Sequence, residues 1–308
     1  LPADEQFLSY DKDHYSLVEL APTAGTIIDI EPNLTFNTTG TPRTSLTVSN
    51  ISSATTCRLI TSLSKNQAEK KLKNATEMEV MKVERTAISS DAQKYGLTYG
   101  SLYGTRIEDE EISLGATDVY KVHAVYESLD DNPAQIPNAT FQDATIFKKG
   151  TIIEGITSKA KARVINFNPV SYVCHYVYEN DQFFLLGESV RGFDANDAVI
   201  TGIINDAEGS IVQGSKNITP SFFLDPNQQG HYYDISKLIR YASSTKPLRK
   251  LMIVFDRFVH EATGDYFASE SYIGIDYDKI PSFTQDGETK QLRDVLDFRP
   301  AVTPVLSG

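Results

Sequence analysis

The side chains best suited to metal binding or nucleophilic chemistry are scattered along the chain. No two of the five histidines have the i, i+4 spacing of a metal-binding helix; they are His14, His123, His175, His231 and His260. Cys174 and His175 are adjacent, but neighbouring residues on a strand face opposite ways, which disfavours a shared metal or an activated thiolate. We therefore predict a structural cysteine beside a polar histidine.

Carboxylates are grouped in three places, where paired acids could cleave a glycosidic bond or oxygen ligands could hold calcium. The groups are residues 108–111, 130–131 and 194–197. We interpret the first as a solvated loop and the second as a turn. The third has Asx spacing without the flanking pattern of a full calcium loop, so ion binding there is the weaker alternative. Phosphate-loop and nucleophile-elbow patterns are missing, and we predict no enzyme, no cofactor and no metal.

Charged residues near the C-terminus alternate with apolar ones, which indicates an architectural role. Asp256 lies within an otherwise apolar run, and Asp265 follows a glycine at an expected tight turn. Arg293, Asp297 and Arg299 are interleaved with leucine, valine and phenylalanine. We predict that Arg293 or Arg299 forms a forked ion pair with a carboxylate at a domain edge. These five residues are the structural candidates, and a binding role is the alternative left open.

The elements that must position these residues are mostly short runs in which apolar and polar residues alternate, which indicates β-strands. The chain has 16 Tyr and 15 Phe but no Trp, a composition that favours half-buried pleated surfaces. Residues 251–260 are apolar on both faces and predict a strand covered on both sides. Residues 15–20 suggest one helical turn, and residues 235–241 fit a short helix or an irregular strand. The predicted fold is mainly β, with multiple small β-sandwich or barrel-like units and few short helices.

Four segments are expected. Residues 1–43, which contain four prolines, are predicted to be an extended arm or lead-in segment. Residues 44–140 form the first part of a β-sandwich, with a hairpin whose lysine-rich tip is solvated, and residues 216–308 form a second β part that can pack with it. Residues 141–215 form an insert of two β repeats. Since the chain does not begin with Met, we expect a processed protein or a piece of a longer one.

The insert contains an internal repeat. The pattern Phe-x-x-Gly-x-x-aliphatic-x-Gly occurs at residues 147–155 and again at residues 184–192. Each copy then passes through a short polar segment into an aliphatic strand. The paired glycines are expected where a turn needs positive φ or where backbones approach closely. Two such units can bury a face together that neither could bury alone.

Composition excludes several partners. Lys and Arg number 29 against 41 Asp and Glu, and the net charge of −12 repels nucleic acid and anionic membrane surfaces. The longest apolar run has five residues, far below the roughly 20 that span a bilayer. The two cysteines, Cys57 and Cys174, form no close-spaced pair, so we expect neither a disulfide framework nor a zinc knuckle. We expect neither nucleic acid nor membrane as a partner.

The order of segments across most of residues 44–302 resembles a known family. The resemblance is carried chiefly by residues 217–225, 232–234, 251–256, 264–267, 271–272, 280–283 and 292–300. In this order they resemble a domain of unknown function in large virion structural proteins of contractile-tailed, T-even-like phages. The repeats look like modules inserted in the same proteins. Ser158-Lys159-Ala160 and residues 195–198 stand where that family leads us to expect Ser-Gly-Ala.

The resemblance implies a baseplate or tail-associated building block, in particular a wedge component, without catalysis. Its partners would be other virion proteins and copies of itself, and it would reside in the virion after assembly in the host cytoplasm, where no disulfide is needed. Two alternatives remain. A receptor- or glycan-binding adhesin would stack Tyr95, Tyr99 and Tyr103 on sugar rings. A polysaccharide depolymerase would use acidic loops at Glu110 and Asp194.

Overall fold

The computed structural model describes residues 1, 4–40, 43–51, 56–84, 106–285 and 287–302. The fold is mainly β, with several sheets that include a half-barrel, and this confirms the predicted class. Helices in the described part are 3-10 turns of three residues each: Glu31–Asn33, Thr219–Ser221, Ser269–Ser271, Tyr277–Lys279 and Leu292–Asp294. The chain divides into two compact units after Glu69.

The first unit contains three small sheets. Its strands are β1 (Glu5–Phe7), β2 (Tyr15–Ala21), β3 (Ile27–Ile28), β4 (Leu34–Phe36), β5 (Leu46–Val48), β6 (Thr56–Thr61) and β7 (Leu63–Lys65). They pair as β3-β2-β6, β1-β7 and β4-β5 around a core that includes Tyr15, Leu17 and Ile30. The helical turn predicted at residues 15–20 is wrong, because alternating burial of Tyr15 and Leu17 suits a strand. The pairing of β2 with β6 also departs from the extended arm predicted for residues 1–43.

The second unit carries the remaining strands. They are β8 (Lys73–Val83), β9 (Glu111–Thr117), β10 (Val119–Glu127), β11 (Asn138–Thr140), β12 (Ile152–Gly155), β13 (Lys161–Asn168), β14 (Val173–Tyr178), β15 (Ser189–Phe193), β16 (Val199–Ile203), β17 (Ile211–Val212), β18 (Lys216–Asn217), β19 (Phe222–Asp225), β20 (Ile235–Arg240), β21 (Leu251–His260), β22 (Tyr272–Ile273), β23 (Ser282–Gln285) and β24 (Glu288–Gln291). The segment at 235–241, left open between helix and strand, is the strand β20.

A five-stranded central sheet, ordered β18-β10-β21-β8-β22, organises this unit. One face packs on a three-stranded sheet, β19-β20-β9, through a core that includes Ile112, Leu238 and Ile253. The other face packs through Met252 and Val254 on residues that include Ile165 and Val177. Because β21 lies in the middle with both faces covered, its continuous apolar run is buried, as predicted.

A seven-stranded sheet, called here the curled sheet, has the order β16-β15-β12-β13-β14-β11-β17. It runs from Asn138 to Val212, close to the insert predicted at 141–215. Phe141, just past β11, bridges Ile204, just past β16, so the sheet curls around its own aromatic core. The two repeat copies lie side by side in it, because their first strands β12 and β15 pair antiparallel.

A β-bulge interrupts the pairing of β8 with β21. Phe255 opposes Glu79 and Arg257 opposes Thr76, so two residues of β8, one of them Met78, stand opposite a single residue of β21. The side-chain alternation along β8 therefore shifts by one residue across the bulge. The hairpin predicted around residues 67–73 is wrong, because β8 pairs with β21 and β22. Residues 67–70 are exposed, as predicted for its charged tip, but Lys73 at the start of β8 is 0% exposed.

Candidate functional site

Asp256 belongs to the bulge. Its Oδ1 accepts the backbone N–H of Met78 at 2.7 Å, and its Oδ2 lies 2.7 Å from His123 Nε2. Met78 has a φ of 53°, so its N–H points away from the ladder and needs a side-chain acceptor. A carboxylate stands in this apolar strand because the bulge leaves a buried donor to satisfy.

Asp297 and Arg299 form a forked ion pair. Arg299 Nε donates to Oδ1 and Nη2 to Oδ2 of Asp297, each at 2.9 Å, and the Tyr233 hydroxyl also donates to Asp297. The Arg299 guanidinium lies 4.4 Å from the ring centre of Tyr233 and 4.1 Å from that of Phe283. Asp297 exchanges two backbone hydrogen bonds with Phe267. Together these contacts fix the register of the C-terminal segment.

The other two candidates lie apart from this pair. Arg293 Nη1 is 3.5 Å from Asp278 and its guanidinium packs 5.2 Å from the ring centre of Tyr277, at the surface. Asp265 is half-buried and follows Gly264, whose φ of 98° and close approach to the backbone of Lys71 require glycine. The structure thus brings together only two of the five candidates.

A buried polar group that sequence reasoning missed lies beside this pair. It is called here the Lys73 cluster and consists of Lys73, Asp118, Gln228, Tyr233 and His260. Lys73 Nζ and His260 Nε2 approach Asp118 Oδ2 at 2.8 and 2.7 Å, and Gln228 Nε2 donates to Asp118 Oδ1 at 3.1 Å. The Gln228 carbonyl in turn accepts from Arg299, so one amide joins the two ion pairs.

Aromatic rings exclude water from the ammonium of Lys73. Its Nζ lies 3.9 Å from the ring centre of Tyr233, 4.4 Å from Phe267, 5.1 Å from Tyr272 and 5.9 Å from Phe258. Burial lowers the pKa of Lys73 and outweighs the opposing effect of Asp118. The ion pair of Lys73 and Asp118 therefore lies where little solvent reaches either charge.

The pKa values of His260 and Asp118 are shifted as well. Burial lowers the pKa of His260 despite its hydrogen bond to Asp118, which leaves the imidazole neutral near pH 7. Burial would raise the pKa of Asp118, but Lys73 and His260 outweigh it and the pKa is lowered. Sequence could not group these residues, because each stands alone near a strand end or in a loop and the fold alone makes them neighbours.

The side chains at two further candidate sites, Asp194 and Cys174, have structural roles in their own segments. Asp194 Oδ1 accepts the backbone N–H groups of Asn196 and Ala198, which closes the turn between β15 and β16. Cys174 is buried in the curled sheet, burial raises the pKa of its thiol, and His175 faces the opposite way. Among the described residues no group of three or more His, Cys, Asp or Glu could hold a metal ion. The tyrosines at 95, 99 and 103 lie outside the described residues.

The repeat glycines have the two roles predicted for them. Gly150 and Gly187, the first glycines of the two copies, have φ of 79° and 71°. The second glycines meet close neighbours: a Cβ on Gly155 would lie 2.3 Å from Ser158 Oγ, and one on Gly192 would lie 2.6 Å from Phe147 Cδ1. The glycine prediction is confirmed, with positive φ at one position and close approach at the other.

The turn at which we expected Ser-Gly-Ala also has left-handed backbone. Lys159 in the first copy and Asp197 in the second have φ of 59° and 61°. Glu188 accepts hydrogen bonds from the backbone N–H and hydroxyl of Ser158, while Lys148 Nζ lies 2.6 Å from Asp197. Each copy thus holds the turn of the other.

The outer face of the curled sheet exposes apolar side chains. Phe193 and Val199 are cross-strand neighbours that are 41% and 62% exposed, with Ile152 and Ile203 on the same face. Glu154 and Arg191 lie among them. The side chains of Ile152, Phe193 and Val199 line a shallow depression here.

A cleft of about 580 Å³ opens in the second unit between the central and curled sheets. Val80, Ile136, Ile165 and Met252 supply much of its apolar wall. Its polar lining is mostly side-chain amides with one imidazole: Gln135, Asn138, Asn166 and His175. Such a mixture suits a small polar ligand better than a charged one.

Comparison with protein-family models, with curated proteins and with solved structures found no match for this chain. Among the described residues, no helix has the length and apolar character needed to cross a membrane.

Proposed function

We propose that the chain is a structural component of a phage virion, a tail or baseplate building block that binds neighbouring virion proteins. The proposal rests on the resemblance of segment order and on the outer face of the curled sheet. That face combines exposed Phe193 and Val199 with charges of both signs at Glu154 and Arg191. Contiguous apolar residues rimmed by charges are typical of protein–protein contact surfaces.

The buried ion pairs also support the proposal, because they have a structural role. Asp297 and Arg299 neutralise each other, and Lys73 and Asp118 do the same. Side chains committed in this way hold segments of the chain in register, which is what a load-carrying component needs.

The test uses purified virions and variants that introduce a negative charge on the outer face. Phe193→Asp and Val199→Asp should lower incorporation into particles at least about tenfold, the effect of a lost central contact, without lowering the thermal unfolding midpoint. Val170→Asp is the matched control, because Val170 is 89% exposed on a turn away from this face. Equal incorporation of all three variants, or absence of the protein from virions, would refute the proposal.

The cleft favours a second function, a receptor- or glycan-binding adhesin. The amides of Gln135, Asn138 and Asn166 can bond sugar hydroxyls in both directions, as donor and as acceptor. A glycan array probed with the full chain should then give a hit that Asn138→Ala and Asn166→Ala abolish. An array without hits would leave the structural role alone.

A further inference from the structure

The contact between Lys73 and Asp118 has the features of a reactive pair. Both side chains are almost completely buried, at 0% and 1% exposure of the residues, and Nζ lies 2.8 Å from Oδ2. We propose that Lys73 and Asp118 condense to an intramolecular isopeptide bond, which joins the start of β8 to the residue before β10.

The fold supplies the proximity that this condensation needs. β8 and β10 are the two neighbours of β21 in the central sheet, and His260 at the end of β21 is the cross-strand partner of Lys73. Amine and carboxyl are therefore fixed by three hydrogen-bonded strands. Groups held in this way react with effective concentrations on the order of 10⁵–10⁸ M. The surrounding rings keep out the water that would favour hydrolysis.

The two carboxylate oxygens have different surroundings, which assigns their roles. Gln228 Nε2 donates to Oδ1 and polarises it as the carbonyl oxygen, whereas Oδ2 faces both Nζ and His260 Nε2 and is the oxygen that leaves. No described protein group bonds His260 Nδ1. Once Asp118 has taken the proton from Lys73, its Oδ2 hydroxyl can donate to Nε2, and the imidazole proton then lies on Nδ1.

The reaction balances without an outside reagent. One proton passes from the ammonium of Lys73 to the carboxylate, which gives an amine and a carboxylic acid. The nitrogen lone pair attacks Cγ of Asp118, His260 Nε2 takes a proton from that nitrogen and returns it to the Oδ2 hydroxyl, and the C–Oδ2 bond breaks. The products are one amide and one water, and His260 ends neutral, as it began.

An exposed pair of the same length provides an internal comparison. Lys237 Nζ lies 2.8 Å from Glu111 Oε2, but these side chains are 33% and 57% exposed. The hydrogen bond to Glu111 raises the pKa of Lys237, which keeps that amine protonated and not nucleophilic, and solvent reaches both side chains. We expect no bond there.

The test is the intact mass of the full folded chain. It should be lower than the sequence mass by about 18 Da, one water, and tandem mass spectrometry should find peptides crosslinked at Lys73 and Asp118 but none at Lys237 and Glu111. Lys73→Arg and Asp118→Ala should restore the full mass. If either variant fails to fold, the mass and the crosslinked peptides of the wild type still show whether the bond is present.

His260 has its own readout. Because an amide bond survives denaturant, the rate is followed on newly synthesised, pulse-labelled chains that have not yet reacted. The mass change should appear about 10² times more slowly in His260→Gln than in the wild type, the scale of lost proton transfer. A wild-type chain that keeps its full mass, with Lys73 open to amine labelling after denaturation, would overturn the proposal.

Discussion

Removing the carboxylate of Asp256 should destabilise the second unit strongly, because two buried groups depend on it. In Asp256→Ala the N–H of Met78 is left without an acceptor inside the fold, which costs about 1–3 kcal/mol. His123 also loses a bond to a charged partner, worth about 1.5–3 kcal/mol. We expect a total loss of about 3–5 kcal/mol in the free energy of unfolding.

Asp256→Asn is the matched control, since it keeps the size of the side chain and the Oδ1 acceptor for Met78. The charge and the acceptor facing His123 are lost, but the new amide N–H can donate to His123 Nε2, so the expected cost is about 1–2 kcal/mol. The difference between the two variants then isolates the backbone N–H at the bulge.

The free energies come from urea titration, followed by far-UV circular dichroism and by tyrosine fluorescence, which suits a chain with 16 Tyr and no Trp. The double variant with His123→Ala should show a coupling energy of about 1–2 kcal/mol. Equal costs for the alanine and asparagine variants would refute the argument, because they would mean that the Met78 N–H does not need this acceptor.

Three further predictions concern other parts of the fold. Gly192→Ala should cost about 1–3 kcal/mol in urea titration, because its Cβ would press on Phe147, whereas Arg191→Ala on the outer face should change stability by less than about 0.5 kcal/mol. Lys159→Gly should raise the unfolding free energy by about 0–1 kcal/mol, because glycine relieves the positive φ and loses part of that gain through unfolded-chain entropy. Burial lowers the pKa of His260 in the folded state, so its stabilising effect is complete above about pH 6.5, the ordinary histidine pKa, and falls as the pH drops below that value; His260→Gln should flatten this slope in unfolding curves measured across pH.

Sequence reasoning succeeded where one local pattern decided the structure. The run at 251–260 is apolar on both faces and is a strand buried on both sides. The repeat glycines, such as Gly150 and Gly192, could be assigned because a turn and a close approach each exclude other residues. Asp297 and Arg299 lie two residues apart, so their spacing in the sequence was enough to suggest a forked ion pair between them.

It failed where the structure depends on contacts between distant segments. Lys73 was placed in a solvated tip because the lysine-rich run is polar. In addition, the bulge at Met78 shifts the alternation of buried and exposed side chains along β8, so the sequence does not show which face Lys73 is on. Asp118 and His260 lie 142 residues apart, and nothing in the sequence shows that β21 brings them together. The strand at 15–21 was missed because prolines and polar residues around it obscure a short alternation.

The pairing of the two repeat copies has a symmetry that limits the number of copies to two. Glu154 and Arg191 hold the same position in the two copies, and they stand directly opposite each other across β12 and β15. A local dyad therefore passes through this pair, and the contact is isologous, which means that two members satisfy it completely. A third copy would find no unpaired first strand to join. The duplication is closed, unlike the open-ended arrays that stack their repeats head to tail.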